Sequence, residues 1–222
     1  AAKLYYLRTV LIAVLALFFL PTAAWAEDAT AVKDFQVGRE YFELPAPRVL
    51  TEQDDGRIEV IAFFWYNCGT CYFIDPEMTA WSKKLPPDVR FIRMPFAYNP
   101  TLEVHARIFF ALRALDLDHE ADLTVFKLFQ EDRQPVHEPE QLPRLAKVLK
   151  INEQDLVKAY NSQGVSAQMA KMKQLLKAYD LQGVPSMVIN GKYLFDIGTT
   201  HGPENYFKLA DLLISRERLA KK

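Results

Sequence analysis

The hydrophobic positions of this chain change period several times, and each change marks an element. Ile58 to Tyr66 is almost continuously apolar and rich in aromatic and β-branched residues. That is the pattern of a central strand buried on both faces. After it the period turns helical, with Phe73, Met78 and Trp81 at helix-like spacing, and the predicted helix ends near Lys84 before Pro86-Pro87. Val89 to Met94 reads as the next strand, so the three elements form a β-α-β unit that should be parallel and right-handed. Ahead of the unit, Tyr41-Phe42-Glu43-Leu44 is a short candidate strand and Asp54-Asp55-Gly56 a turn.

From Thr101 to about Leu181 the pattern is helical throughout. Helices are predicted over Thr101–Leu115, Asp118–Gln130, Gln141–Leu149, Asn152–Tyr160 and Ser166–Tyr179, with Thr101, Asn152 and Ser166 as N-caps. Met169 and Met172 read as core or gap-filling residues. Strand character returns after Gly183-Val184-Pro185-Ser186. Met187-Val188-Ile189 and Tyr193-Leu194-Phe195 flank Asn190-Gly191, which is a β-hairpin signal. Gly202-Pro203 opens a last helix through Leu213, followed by a Lys/Arg-rich tail read as a solvated helix end. The fold class is therefore α/β with an inserted helical subdomain over residues 101–181, between a first part, 27–100, and a second, 182–222.

Residues 1–26 read as an export signal. Lys3 and Arg8 form a positive n-region, Val10 to Leu20 is an unbroken apolar run, and Ala24-Trp25-Ala26 fits an A-x-A cleavage site. The run is 11 residues long, short of the roughly 20 that span a bilayer, although Leu4 to Leu7 would lengthen an uncleaved anchor. Cleavage near Ala26 removes two basic residues and leaves 25 against 28 acidic ones, a net charge of −3 with no electrostatic footprint for nucleic acid. Export places the chain in an oxidising compartment, where a disulfide persists.

The candidate chemistry lies at the junction of the central strand and its helix. The only two cysteines, Cys68 and Cys71, stand there as Cys-x-x-Cys. Free backbone N–H groups and the helix dipole at such a junction stabilise a thiolate, the reactive form of cysteine. A zinc site needs four ligands, and His105, His119, His137 and His201 are scattered without ligand spacing, so no metal is expected. A purely structural bridge across so short a loop removes little chain entropy. A reversible dithiol is the reading these residues support.

Cys68-Gly69-Thr70-Cys71 with Pro76, five positions after the second cysteine, resembles the active-site helix of the thioredoxin superfamily. Together with the signal segment, the helical insert and the Val184-Pro185 hairpin, it resembles the DsbA family of periplasmic thiol oxidases. The resemblance implies a thioredoxin-like fold with an inserted helical subdomain, and a redox-active disulfide in place of a cofactor. It implies Cys68 as the attacked sulfur and Cys71 as the shielded resolving one, with Val184 and a cis Pro185 forming a client-binding loop. The implied partners are reduced exported proteins and a quinone-linked DsbB-like membrane oxidase, with the protein acting as a monomer.

Three positions depart from the family pattern. Gly69 and Thr70, the dipeptide that tunes the potential, stand where the family commonly has Pro-His, so a positive charge near the thiolate is missing. Ala62, six residues before Cys68, stands where many members carry a buried glutamate. Glu59 either substitutes for that carboxylate or is a solvated strand-end charge. Gly-Thr also resembles the dipeptides of thioredoxin and disulfide isomerases, which puts the expected Cys68 pKa between about 3.5 and 7 and the potential between about −120 and −270 mV. His105 is either an acid or base facing the site or a structural histidine, and Asn67 is a candidate helix cap. Trp65, Tyr66 and Tyr72 read as core, with a client surface as the alternative. The expected function is a dithiol oxidase. A disulfide reductase or isomerase, or a peptide-binding assembly factor with little redox turnover, remains open.

Overall fold

The computed structural model describes residues 35–46, 48–52 and 54–221, so the signal segment lies outside the described residues. The elements run β1 (Phe42–Glu43), β2 (Ile58–Phe64), α1 (Gly69–Ser82), β3 (Val89–Pro95), α2 (Pro100–Ala114), α3 (His119–Gln130), α4 (Leu142–Leu149), α5 (Glu153–Tyr160), α6 (Gln163–Ala178), β4 (Ser186–Ile189), β5 (Tyr193–Asp196) and α7 (Pro203–Ala220). They form a mixed five-stranded sheet in the order β1-β5-β4-β2-β3, with the five helices α2–α6 inserted between β3 and β4. Among the described residues no helix is long and apolar enough to cross a membrane.

β2 is buried along its whole length because it is flanked on both sides, parallel to β3 and antiparallel to β4. Its parallel partner follows through α1, as the β-α-β reading required. Asn190 and Gly191 both have positive φ, 53° and 63°, and turn β4 back onto β5. A Cβ on Gly191 would run into the Val49 carbonyl oxygen, so this position needs glycine for space as well as for φ.

Several boundaries move, each for a local reason. The first inserted helix is capped by Asn99, whose side chain accepts from the Leu102 N–H at 2.9 Å, and Pro100 fits its first turn, so Thr101 is not the cap. α6 starts at Gln163, earlier than Ser166, because the Ser162 hydroxyl accepts from the Val165 N–H at 3.2 Å and Gly164 is carried inside the first turn. The last helix continues to Ala220 because Ile214 and Glu217 still face the interior and Arg218 pairs with Asp88 at 2.6 Å. β1 is only two residues long and exposed.

The face of β2 and helices α2, α3 and α6 share one apolar cluster that includes Phe64, Tyr66, Phe126, Met169 and Met172. Burying side chains of this size stabilises the fold by about 1.5–3 kcal/mol each. This packing fixes α3 against α1, and so fixes what surrounds the cysteines.

Candidate active site

α1 begins where β2 leaves the sheet. Cys68 is its N-cap, with extended backbone angles, and the Cys68 Sγ accepts from the Cys71 N–H at 3.0 Å. Asn67, the expected cap, is exposed and plays no such part, because the sulfur occupies the capping position. The first turn of α1 holds no acidic residue, so nothing offsets the positive end of the helix dipole at that sulfur. Cys68 and Cys71 are joined as a disulfide with a Cα–Cα separation of 5.2 Å. Cys68 is half-buried, whereas Cys71 is 4% exposed and belongs to the core. The helix buries Cys71, Ile74, Asp75 and Met78, so Phe73, which the helical period had suggested for the same stripe, points out and is 75% exposed.

Gly69 and Thr70 are exposed on the first turn. The Val184–Pro185 peptide is cis, and the Val184 carbonyl oxygen lies 3.9 Å from the Cys68 Sγ. The chain thus brings Val184 across from the far side of the insert to the accessible sulfur. His105 is buried on α2. Its Nδ1 accepts from the Trp65 indole N–H at 2.7 Å, which leaves Nε2–H to donate to His137 Nδ1 at 3.0 Å. Burial, with the neighbouring His137, pushes its pKa down to about 4, so the ring is neutral near pH 7. Trp65 in turn accepts the Cys68 N–H on its carbonyl at 2.9 Å. Among the described residues no group of three or more His, Cys, Asp or Glu is placed to hold a metal ion.

Glu59 is not a solvated charge. It is 1% exposed, accepts from the Thr51 N–H at 3.0 Å and pairs with Arg90 at 2.8 Å. Its partners lie at the start of β2, away from the cysteines. The carboxylate beside Cys71 is instead Asp75, one helical turn further along α1. A small cavity, about 10 Å³, is lined by Ala62, Cys71, Asp75, Arg93 and Pro185 among others.

Asp75 accepts from Arg93 Nη1 of β3 at 2.6 Å and from His119 Nε2 of α3 at 2.8 Å. Burial alone raises its pKa, but the His119 bond and the Arg93 charge outweigh that and hold it below the ordinary range. Burial lowers His119, and the Asp122 and Asp75 carboxylates beside it reverse the sign, so the imidazole is raised. Behind it Asp122 accepts from the Tyr66 hydroxyl at 2.6 Å and pairs with Arg113 at 2.6 Å. The 3.5 Å approach of His119 Nδ1 to Asp122 Oδ2 is an ion-pair distance, and neither atom has a hydrogen bond there. The sequence reading missed the whole Asp75–Arg93–His119–Asp122 group. The available signal was an acid four residues after Cys71, on the same helical face.

A half-exposed sulfur at a helix N-terminus, bonded to a buried second sulfur beneath it, defines a thioredoxin-fold dithiol–disulfide protein. The profile of the DSBA-like thioredoxin domain matches residues 92–213, which covers the insert and the second half of the sheet. The chain is 38% identical to the thiol:disulfide interchange protein DsbA of Pseudomonas aeruginosa over 96% of this chain and 97% of that one. It is 37% identical to that of Azotobacter vinelandii, over 92% and 94%. The crystal structure of Pseudomonas aeruginosa DsbA superposes with a TM-score of 0.81 at 39% identity, over 86% of this chain and 98% of that one. That of the oxidoreductase DsbA from Xylella fastidiosa gives 0.76 at 25% identity, over 83% and 98%. The chain belongs to the DsbA family and is a thiol:disulfide oxidoreductase, as the motif resemblance implied.

Proposed function

We propose that the oxidised protein donates its Cys68–Cys71 disulfide to reduced exported proteins through a mixed disulfide on Cys68. The observation that carries this reading is the difference in access between a half-buried Cys68 at the cap of α1 and a 4% exposed Cys71. A client thiolate attacks the Cys68 sulfur, the Cys68–Cys71 bond breaks, and Cys71 leaves as a thiolate. A second client thiolate then attacks the client sulfur of the mixed disulfide, forming the client disulfide and releasing the Cys68 thiolate. The Cys71 N–H and the α1 terminus stabilise that leaving group, and a better leaving group makes a stronger oxidant.

Val184 and Pro185 serve as the client-binding loop. Among the described residues the Val184 N–H has no hydrogen-bond partner, and its carbonyl meets only the Cys68 sulfur, which leaves this backbone free for an extended client segment. His105 acts by holding the indole of Trp65, the residue whose carbonyl accepts the Cys68 N–H. The protein works as a monomer in the periplasm after cleavage near Ala26, and a quinone-linked DsbB-like membrane oxidase recharges it.

The test is the equilibrium potential of the pair in glutathione buffers. A value of about −120 to −180 mV supports disulfide donation. A value near −270 mV overturns it in favour of a reductase, the second reading, which the uncharged Gly69-Thr70 dipeptide favours. Cys71→Ser should accumulate client mixed disulfides, and Cys68→Ser should form none.

A further inference from the structure

We propose that the free edge of β3 is a polypeptide-docking site, which adds to the sheet an extended segment of alternating apolar and acidic residues. β3 is the last strand in the order β1-β5-β4-β2-β3, so one of its edges has no strand beside it. Such an edge is a template for strand addition unless something covers it. The site stands apart from the reactive sulfur. It borders the far end of α1, a helix of 14 residues, about 20 Å long at 1.5 Å per residue, whose other end is capped by Cys68.

The register shows which backbone groups are free. β3 lies parallel to β2, and its ladder is bounded by two bonds of 2.8 Å, from the Ile58 N–H to the Asp88 carbonyl and from the Phe96 N–H to the Phe64 carbonyl. In a parallel pair every second residue turns its N–H and C=O toward the neighbouring strand. Asp88, Arg90, Ile92, Met94 and Phe96 therefore face β2, and Phe91 and Arg93 face outward. Among the described residues nothing bonds the backbone N–H or C=O of Phe91 or Arg93 on that side. The slot ends at Val89, whose N–H is taken by the Pro86 carbonyl at 3.0 Å, and at Pro95, which has no N–H to give.

A groove of about 870 Å³ runs along this edge. Four consecutive residues of β3, Phe91 to Met94, line it, and successive side chains point to opposite faces, so the groove straddles the edge of the sheet. Phe91 and Arg93 turn to α1, where Phe91 packs on Trp81 with ring centroids 5.9 Å apart and Arg93 bonds the Thr79 hydroxyl at 2.8 Å. A charged side chain protects an edge by standing over it, and Arg93 is instead drawn back onto α1. Ile92 and Met94 turn to the insert, whose wall here is Phe109 and Phe110 of α2 and Val165 of α6. An added strand alternates in the same way, one set of side chains on the apolar wall and the other toward Thr79, Ser82 and Lys83.

Charge decides what alternates with the apolar residues. Within the groove Arg93 is paired with Asp75, Arg113 and His119 with Asp122, and Glu52 with Arg90. Lys83 on α1 and Lys171 on α6 have no ion-pair partner among the described residues. Both walls thus carry an uncompensated positive charge, and the complement is a segment with acidic side chains.

The probe is a fluorescein-labelled octapeptide of alternating valine and glutamate, acetylated and amidated, titrated with the oxidised protein at pH 7 and read by anisotropy. It has no thiol, so its binding and the disulfide exchange at Cys68 succeed or fail separately. Saturable binding that weakens with added salt is expected, and no saturation up to about 1 mM protein overturns the proposal. Lysine in place of glutamate in the peptide, or Lys83→Glu with Lys171→Glu in the protein, should weaken binding about 10-fold or more. N-methylation of one alternate set of peptide amides, the valines or the glutamates, should abolish binding while the other set preserves it, because a strand turns only one set to its neighbour. In the free protein the Phe91 and Arg93 amides should exchange faster than those of Arg90, Ile92 and Met94, and saturating peptide should slow them about 10-fold or more. Equal protection of all five amides in the free protein means that the edge is already covered, by another segment or a second copy, and overturns the proposal. Binding indifferent to both N-methylated sets does the same. These last two measurements use the unaltered protein and decide the matter even if the lysine variant fails to fold.

Discussion

His105 makes acid stability a direct test of the site's electrostatics. The histidine is buried between Trp65, His137 and Phe129, and its pKa is pushed down to about 4 from 6.5. The unfolded chain therefore binds this proton more readily than the folded one, and stability must fall as pH drops. The contribution is whole above pH 6.5, is lost progressively down to pH 4 and then levels off. At 1.36 kcal/mol per pH unit, the gap between 6.5 and about 4 amounts to roughly 3 kcal/mol at pH 4.

His105→Gln removes the titration while keeping a carbonyl for the Trp65 indole and an amide for His137. Urea unfolding of the oxidised proteins at pH 7.5, 5.5 and 4 should show the wild type losing about 3 kcal/mol more than the variant. Asp75 and His119 are present in both proteins and cancel in the difference. The neighbouring His137 is one of the causes that lower His105, so part of the difference belongs to the pair. Parallel acid profiles within about 0.5 kcal/mol would refute the buried-neutral assignment.

Three further outcomes follow from particular contacts. Thr70→His adds an exposed charge beside the α1 terminus, and a surface pair worth about 0.2–1 kcal/mol corresponds to a rise of roughly 5–20 mV. Glutathione equilibration should show that rise at pH 6, where the imidazole is charged, and not at pH 8. Glu59→Gln strips the charge that Arg90 meets at 2.8 Å, but Asp55 at 3.1 Å still faces that guanidinium. The loss in urea unfolding should therefore be about 2–3 kcal/mol, below the ~3–5 of a fully stranded buried charge. Gly191→Ala sets a Cβ against the Val49 carbonyl at a positive φ and should lower the thermal midpoint, with a cost of about 1–3 kcal/mol.

Much of the active-site architecture was legible along the chain because it is local. Cys68 and Cys71 sit one turn apart where a buried strand gives way to a helix, and the strand period and the helix period announce that junction without any tertiary information. The hairpin at Asn190-Gly191 was readable for the same reason, since positive φ is a property of those residue types. Cap positions were less secure. At Asn99 and Ser162 the capping side chain stands earlier than the apolar period suggested, and a glycine or proline lies inside the first turn.

What folding decided is which distant groups meet. Glu59 looked like a strand-end charge, and the pairing of β2 with β3 turned it into a buried partner of Arg90. Asp75 stands on α1 four residues after Cys71. Packing of α3 against α1 set His119, 44 residues away, on its carboxylate, and packing against β3 set Arg93 on the other oxygen. Val184 reaches the Cys68 sulfur across 116 residues of chain. The sequence by itself determined the reactive pair, its helix terminus and the order of the elements, because each depends on a few neighbouring residues. Only the tertiary structure decided which sulfur is sheltered by what, since hydrogen bonds and charge pairs between separate elements exist only once the core has set their distance.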